Sequence, residues 1–399
     1  MLKTRDIVCL SLTPWETLLP STVHYLMREF SRHHRILFVD HPLTFKDCWS
    51  QRLNSRWYRT MGLRPRLREA GRLHVLTPPA ITSSAMPGRF FDLAMEASAR
   101  MVAKSIRGAM AELGMRRPLL WIAFDVPLGL HLVGKLEESL VIYHCYDEIS
   151  GEPYIARHGT RLEHALFEQS DLVFTTSQTL YEAKRPHHPS CHWVPNGVDF
   201  ERFASAQDLH LHPHPALLSI PEPRLGYLGN LESRLDFDLL TAIALRRPEW
   251  SLVLMGPVQE GFESALSQLK RLPNIHHLGP CPPHDAPRFL KGLDVALIPF
   301  VLSIQTQSVY PLKLNEYLAA GLPVVMTPFA PLPEFEAVCW QAQGAEAFER
   351  AIEDALEARG FEHVVRRQAI AERHDWSERA AEVGRILASK LEEAKGEQS

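Results

Sequence analysis

Between Leu293 and Met326 the chain passes from one apolar run, Leu293–Phe300, through SVYPLKLNEYLAAGLPVV to another, Pro323–Met326. Two short apolar runs around a helix-length segment read as strand–helix–strand, a unit that packs as parallel strands with the helix laid on the sheet. Pro311 suits the helix opening, because its fixed φ fits the first turn and its missing N–H loses no bond there. Gly321 falls just past the helix end, where a left-handed residue is wanted, and Pro323 stops continuation. Lys313 has the wrong sign for the positive end of a helix dipole, and an anion bound at that terminus accounts for it. Glu316, one turn on, can accept two hydrogen bonds from vicinal hydroxyls such as a ribose diol. Together they point to a nucleoside diphosphate on a helix start. The plainer alternative is an exposed Glu316 paired with Lys313 at i,i+3.

The same alternation runs through the whole sequence. Asp6–Leu12, Arg35–Val39, Leu73–Leu76, Leu119–Phe124, Leu140–Cys145 and Leu172–Thr176 read as strands, and Ser21–His33 and Phe90–Leu113 as helices between them. A second series starts at Arg224–Leu228 and continues through Leu252–Met255 and Ile275–Leu278. With 399 residues, two domains of similar size are expected. The His- and Pro-rich stretch His210–Pro223 has no periodicity and reads as a linker. The division expected is 1–205 for the first domain, 206–223 for the linker, 224–375 for the second domain and 376–399 for a final helix.

PxKxxEYLAxGxPVV resembles the donor-binding element of the GT-B glycosyltransferases, in the GT4-like group. PNGVDFERF, Pro195–Phe203, is similar to the segment that ends the first domain in those families. The resemblance implies two Rossmann-like, doubly wound parallel-sheet α/β domains with a C-terminal crossover helix, and a nucleoside-diphosphate sugar, UDP- or GDP-linked, as donor. It implies a donor set of Gly229, Arg234, Gly256, Ser308, Lys313, Leu314 and Glu316. Glu316 takes the ribose, and Ser308 stands where the group usually has a second Glu. Arg234, in the polar loop of Gly226–Leu240, is matched to the basic residue that holds the diphosphate, and amides at the Gly229 strand–loop–helix junction can cradle a phosphate. An ordinary tight turn is the alternative there. MGPV, Met255–Val258, is matched to a loop bordering the nucleotide.

In the first half, LVIYHCYDEISGEP places His144, Asp147 and Glu148 at the carboxyl end of an apolar strand, the edge where open α/β sheets bind ligands. A transferase must manage the proton leaving an acceptor hydroxyl, and these groups are the catalytic candidates, Asp147 first. A polar loop start for the carboxylates and a core position for His144 are the alternatives. Trp15 and Glu16, in the loop after the first strand, can stack on and hydrogen-bond an acceptor sugar, or Trp15 can anchor its loop. That loop lacks the glycines of a dinucleotide-binding turn. Lys46–Arg72 carries eight Lys and Arg against Asp47 and Glu69, with Trp49, Trp57 and Tyr58 interleaved. This composition fits an anionic membrane surface, the place of a lipid-linked acceptor, with a nucleic-acid patch or a mobile solvated loop as the alternatives.

Hydrophobic content of 45%, charged content of 23% and a net charge of −4 exclude a general affinity for nucleic acid. Six scattered cysteines without paired spacing predict reduced thiols and no metal site. The amino terminus lacks a signal-peptide pattern. The function expected is transfer of a sugar to a hydroxyl of a glycan or lipid-linked acceptor, without metal, in the cytoplasm and peripherally at the inner face of the plasma membrane. A nucleotide-sugar 2-epimerase and a non-catalytic glycan-binding or scaffold subunit are the alternatives.

Overall fold

The computed structural model describes residues 4–17, 19–44, 66–81, 90–151 and 158–396. The basic stretch 46–65 and Cys48 lie outside them. Two units are present, Met1–Pro195 with Arg379–Ser399, and Asn196–Glu378.

The first unit holds strands β1 (Asp6–Ser11), β2 (Arg35–Asp40), β3 (Arg66–Ala70), β4 (Leu73–Thr77), β5 (Leu119–Ala123), β6 (Leu140–Cys145), β7 (Leu172–Thr175) and β8 (Cys191–Trp193). They form one sheet in the order β3-β4-β2-β1-β5-β6-β7-β8, parallel except for the β3–β4 pair. Strands buried on both faces need apolar residues at every position, and residues Ile7 to Leu10 are all buried. Their side chains alternate between two cores: Val8 and Leu10 face one with Leu37, while Ile7 and Cys9 face the other with Phe38 and Trp121. The helix Phe91–Glu112 covers the first through Met95, Ala99, Val102 and Ile106. Val383, Leu387 and Leu391, at four-residue spacing on the helix Trp376–Gly396, help fill the second. β3 takes Arg66 and Arg68 out of the expected basic surface and into an edge strand, where charge discourages further pairing.

The second unit holds β9 (Arg224–Leu228), β10 (Ser251–Met255), β11 (Ile275–His277), β12 (Val295–Ile298), β13 (Val324–Met326) and β14 (Cys339–Gln341). Their order is β11-β10-β9-β12-β13-β14, parallel throughout. Strand order reverses between β9 and β12 here, and between β1 and β5 in the first unit. Such reversals open a crevice at the carboxyl ends of the strands.

Two expectations about the boundary need correction. The stretch read as a linker is an ordered part of the second unit. Leu217 and Ile220 are buried in its core, and the His214 ring stacks on Phe289 with centroids 4.0 Å apart. Sparse apolar residues among His and Pro were enough to fasten it. Asn196–Phe203, expected to end the first domain, also lies in the second unit. The Val198 N–H donates to the His374 carbonyl at 2.8 Å, and the Trp376 N–H donates to the Val198 carbonyl at 3.0 Å. Gly197 leaves no room for a side chain, since a Cβ would lie 2.8 Å from the His374 carbonyl oxygen.

Candidate functional site

In the second unit the site grows from the ends of β9 and β10 and from the helix Leu312–Ala319. Tyr317 ties that helix to β9: the Leu228 N–H donates to its oxygen at 2.8 Å, and its hydroxyl is 3.3 Å from the Leu228 carbonyl. Asn196 steadies the helix start, its Nδ2 donating to the Tyr310 carbonyl at 2.7 Å. Asn315, fully buried, returns a bond to the Asn196 carbonyl at 3.3 Å. Neither asparagine was singled out from the sequence, because their partners are more than a hundred residues away.

The glycines serve by size. A Cβ on Gly229 would run into the Lys313 side chain, and one on Gly256 would strike the Gly229 carbonyl. The N–H groups of these two glycines already have backbone acceptors. The Gly229 N–H donates to the Met255 carbonyl at 2.8 Å and the Gly256 N–H to the Gly279 carbonyl at 2.7 Å. The space they leave lets Lys313 lie against the end of β9, its Nζ 5.5 Å from the centre of the Tyr227 ring.

Lys313 and Glu316 do not pair with each other, which removes the plainer reading of Glu316. Burial, with Arg234 adding repulsion, pushes the Lys313 ammonium down to about 8, against a partial pull upward from Glu316 and Glu232. Burial raises the Glu316 carboxyl, opposed by Lys313 and Arg202. Arg234 is held by Glu232, Nε donating to Oε1 at 2.5 Å. The loop thus sets a second cation toward Lys313. Ser308 is buried, its hydroxyl donating to the Ile304 carbonyl at 3.2 Å. Leu314 is a core residue whose amide donates to the Pro311 carbonyl at 3.2 Å, so its side chain is not a ligand contact.

On the first unit, Asp147 follows β6, partly exposed, with its carbonyl 3.4 Å from the Cys145 sulfur. Glu148 is a strut and not a base. Its carboxylate pairs with Lys184 at 3.0 Å and accepts the Ser150 N–H at 3.2 Å. Burial would raise that carboxyl, but Lys184 and Ser150 outweigh it and hold it below the ordinary range. Lys184 also binds Glu163 at 2.8 Å, which accepts the Tyr143 hydroxyl at 2.7 Å. His144 is a core residue: 3% exposed, edge-on to Trp121 at 5.4 Å, with burial pushing it down to about 3. A ring that stays neutral there is a poor proton acceptor. Trp15 anchors its loop, its ring stacked on His24 at 5.5 Å and its backbone N–H donating to Asp40 Oδ1 at 2.8 Å. Glu16 is exposed and faces Arg68 at 3.3 Å.

The sequence left one pair unassigned. His41, after β2, meets Asp125, after β5, with Nδ1 and Oδ2 2.6 Å apart. The Asp125 side chain is fully buried, while the His41 ring is 28% exposed. Phe124, beside it, holds a φ of 60°, which a bulky residue rarely adopts. The pair spans the β1–β5 reversal. Eighty-four positions separate the two residues, and Asp125 read only as a charge interrupting an apolar stretch. Among the described residues no group of three or more His, Cys, Asp or Glu is placed to hold a metal ion.

Residues 222–358 match the family model for glycosyl transferases group 1. A Bacillus subtilis (strain 168) protein named as a teichuronic acid biosynthesis glycosyltransferase, TuaH, is 30% identical over 226 residues, which are 53% of this chain and 55% of that protein. The chain therefore spans about half the length of the curated relative it matches. Sucrose-phosphate synthase of Thermosynechococcus elongatus superposes with a TM-score of 0.70 at 15% identity, covering 96% of this chain and 98% of the other. Anabaena HepE in complex with UDP and glucose gives 0.64 at 15% identity, covering 96% and 100%. An α,α-trehalose-phosphate synthase of Burkholderia vietnamiensis gives 0.68 at 12% identity, with the same coverage as HepE. Residues 222–358 thus resemble a group 1 glycosyl transferase domain, and the chain has the GT-B fold.

Proposed function

We propose that this protein transfers a hexosyl group from a nucleoside-diphosphate sugar to a hydroxyl of a glycan or lipid-linked acceptor. The observation that carries the reading is the start of the Leu312–Ala319 helix: two cations, Lys313 and Arg234, repel one another there, and the uncommitted Glu316 carboxylate stands one turn on. A diphosphate answers the cations and a ribose diol answers the carboxylate. The HepE complexes with UDP and with UDP-glucose favour uracil as the base. The name of the Bacillus relative favours an anionic cell-wall polysaccharide as product. In this reading the leaving diphosphate is stabilised by Lys313, Arg234 and the helix dipole, without a metal ion. The acceptor hydroxyl gives up its proton at the carboxyl edge of the first sheet, where Asp147 and the His41–Asp125 pair stand. A cytoplasmic enzyme, peripheral at the inner face of the plasma membrane, is the setting that the sequence of residues 46–72 supports.

Calorimetry with UDP and GDP in the presence of EDTA tests the donor assignment. Glu316→Ala is expected to lose about 1.5–3 kcal/mol, the worth of hydrogen bonds to a charged group. Unchanged affinity in the folded variant would take Glu316 out of the site. Donor binding with no turnover on any membrane-derived or glycan acceptor would favour a non-catalytic role.

A further inference from the structure

The opposite edge of the first sheet carries a second concentration of charge. β2, β1, β5 and β6 are neighbours, and all four start at this edge. The residues at their starts, Arg5, Asp6, Arg35, Arg116, Arg117 and Ser139, line a cavity of about 310 Å³, with Leu391 as an apolar wall.

One carboxylate faces four guanidinium groups, and it is already used. Asp6 accepts Arg35 Nε at 2.7 Å, Arg35 Nη2 at 3.0 Å and the Arg116 N–H at 2.8 Å. Arg35 also donates to the Leu113 and Gly114 carbonyls at 3.0 and 3.2 Å. That pair is electrically closed. Arg5, Arg116 and Arg117 are left, and no carboxylate among the described residues forms an ion pair with their side chains. The Nε of Arg5 is buried and has no hydrogen-bond partner among the described residues. A buried guanidinium N–H without an acceptor is costly, and three like charges around one cavity add repulsion. Arg117 is also held at a φ of 46° directly before Pro118, a backbone state that sterics disfavour.

We propose that this cavity is a binding site for a phosphate-bearing anion, separate from the donor and acceptor sites. Guanidinium groups present paired N–H donors that match two oxygens of one phosphate, and three of them suit a di-anion or a diphosphate. The Leu391 wall suits a ligand with an apolar continuation. A soluble diphosphate and the headgroup of an anionic phospholipid share this chemistry.

The test uses the full-length protein and the double variant Arg116→Ala/Arg117→Ala, whose exposed side chains can be removed without opening the core. Pyrophosphate binding is measured by calorimetry in a Lys313→Met background, which weakens the donor site and leaves the cavity intact. Sedimentation with phosphatidylglycerol vesicles, against phosphatidylcholine vesicles, supplies the second probe. Loss of affinity by about tenfold or more for either probe in the double variant supports the site. Loss confined to pyrophosphate assigns a soluble ligand, and loss confined to phosphatidylglycerol assigns a lipid headgroup. The site is overturned if neither probe binds the protein, or if both bind the double variant as they bind its parent. Arg5→Gln, tested the same way with its melting temperature as control, gives an independent reading of the buried Nε.

Discussion

At the scale of single residues, Lys313 makes the donor assignment sensitive to pH. Its ammonium is pushed down to about 8 by burial and by Arg234, so the free protein loses that charge within an accessible range. A diphosphate binds the charged form. Above about pH 7.5, where a terminal phosphate with a second pKa near 6 is already ionised, any further change in affinity belongs to the protein. Affinity for UDP is expected to fall roughly tenfold per pH unit above pH 8, because each binding event must then take up a proton. Lys313→Met should bind weakly and without that slope, and calorimetry in buffers of different ionisation enthalpy counts the proton directly. On the acceptor side, Asp147→Asn and Asp125→Asn separate two proton acceptors. The true one should lower turnover by roughly two to four orders of magnitude with UDP affinity kept. Asn at 125 can still accept the Leu128 N–H that Asp125 Oδ1 accepts at 3.4 Å, so helix capping survives. Near-normal turnover in both variants would move the proton elsewhere. Lys313 and Glu316 could be singled out from the sequence because a cation at a helix start is locally odd. The His41–Asp125 pair was not, since each residue is ordinary in its own neighbourhood and only the sheet order brings them together.

At the scale of elements, the loops after β9 and β10 rest on one another through two glycines. Gly256→Ala sets a methyl against the Gly229 carbonyl, and the loop under Lys313 must shift. The expected loss is about 1–3 kcal/mol of stability, the usual cost of overpacking, together with weaker UDP binding. Urea unfolding with an unchanged slope checks the first and calorimetry the second. Gly108, inside the helix Phe91–Glu112 with open space around it, is the control: Gly108→Ala is expected to stabilise by roughly 0.5–1 kcal/mol. Equal behaviour of the two variants would show that the close approach is not a constraint. Apolar runs and flanking Gly or Pro made most strands legible. Which amides were already spent could not be read, because the Gly229 and Gly256 bonds cross between loops. Nor could the anchoring of 206–223, which depends on Leu217 finding space beside Gly292. Trp15 and Glu148 had local patterns that fit ligand contacts as well as anchors, and only their partners, His24, Asp40 and Lys184, decide.

At the scale of the whole molecule, the proposed donor residues Gly229, Arg234, Lys313 and Glu316 all belong to the unit Asn196–Glu378, which has its own core. A fragment of residues 196–378 is therefore expected to fold and to bind UDP within about tenfold of the full-length affinity, since the contacts proposed with phosphate and ribose are charge-assisted and local. Failure of a folded fragment to bind would mean that the nucleotide needs more than these residues. The first unit has no such independence, because its second face is completed by Val383, Leu387 and Leu391. During synthesis β1 to β8 leave the ribosome before the second unit, and Val383, Leu387 and Leu391, which close their core, follow it. At 5–20 residues per second, the delay while the second unit emerges is roughly 10–40 s. For that time Ile7, Phe38 and Trp121 lack their final cover, which makes the nascent first unit a client for a holding chaperone and makes a truncation ahead of Val383 damaging to strands nearly two hundred residues or more upstream.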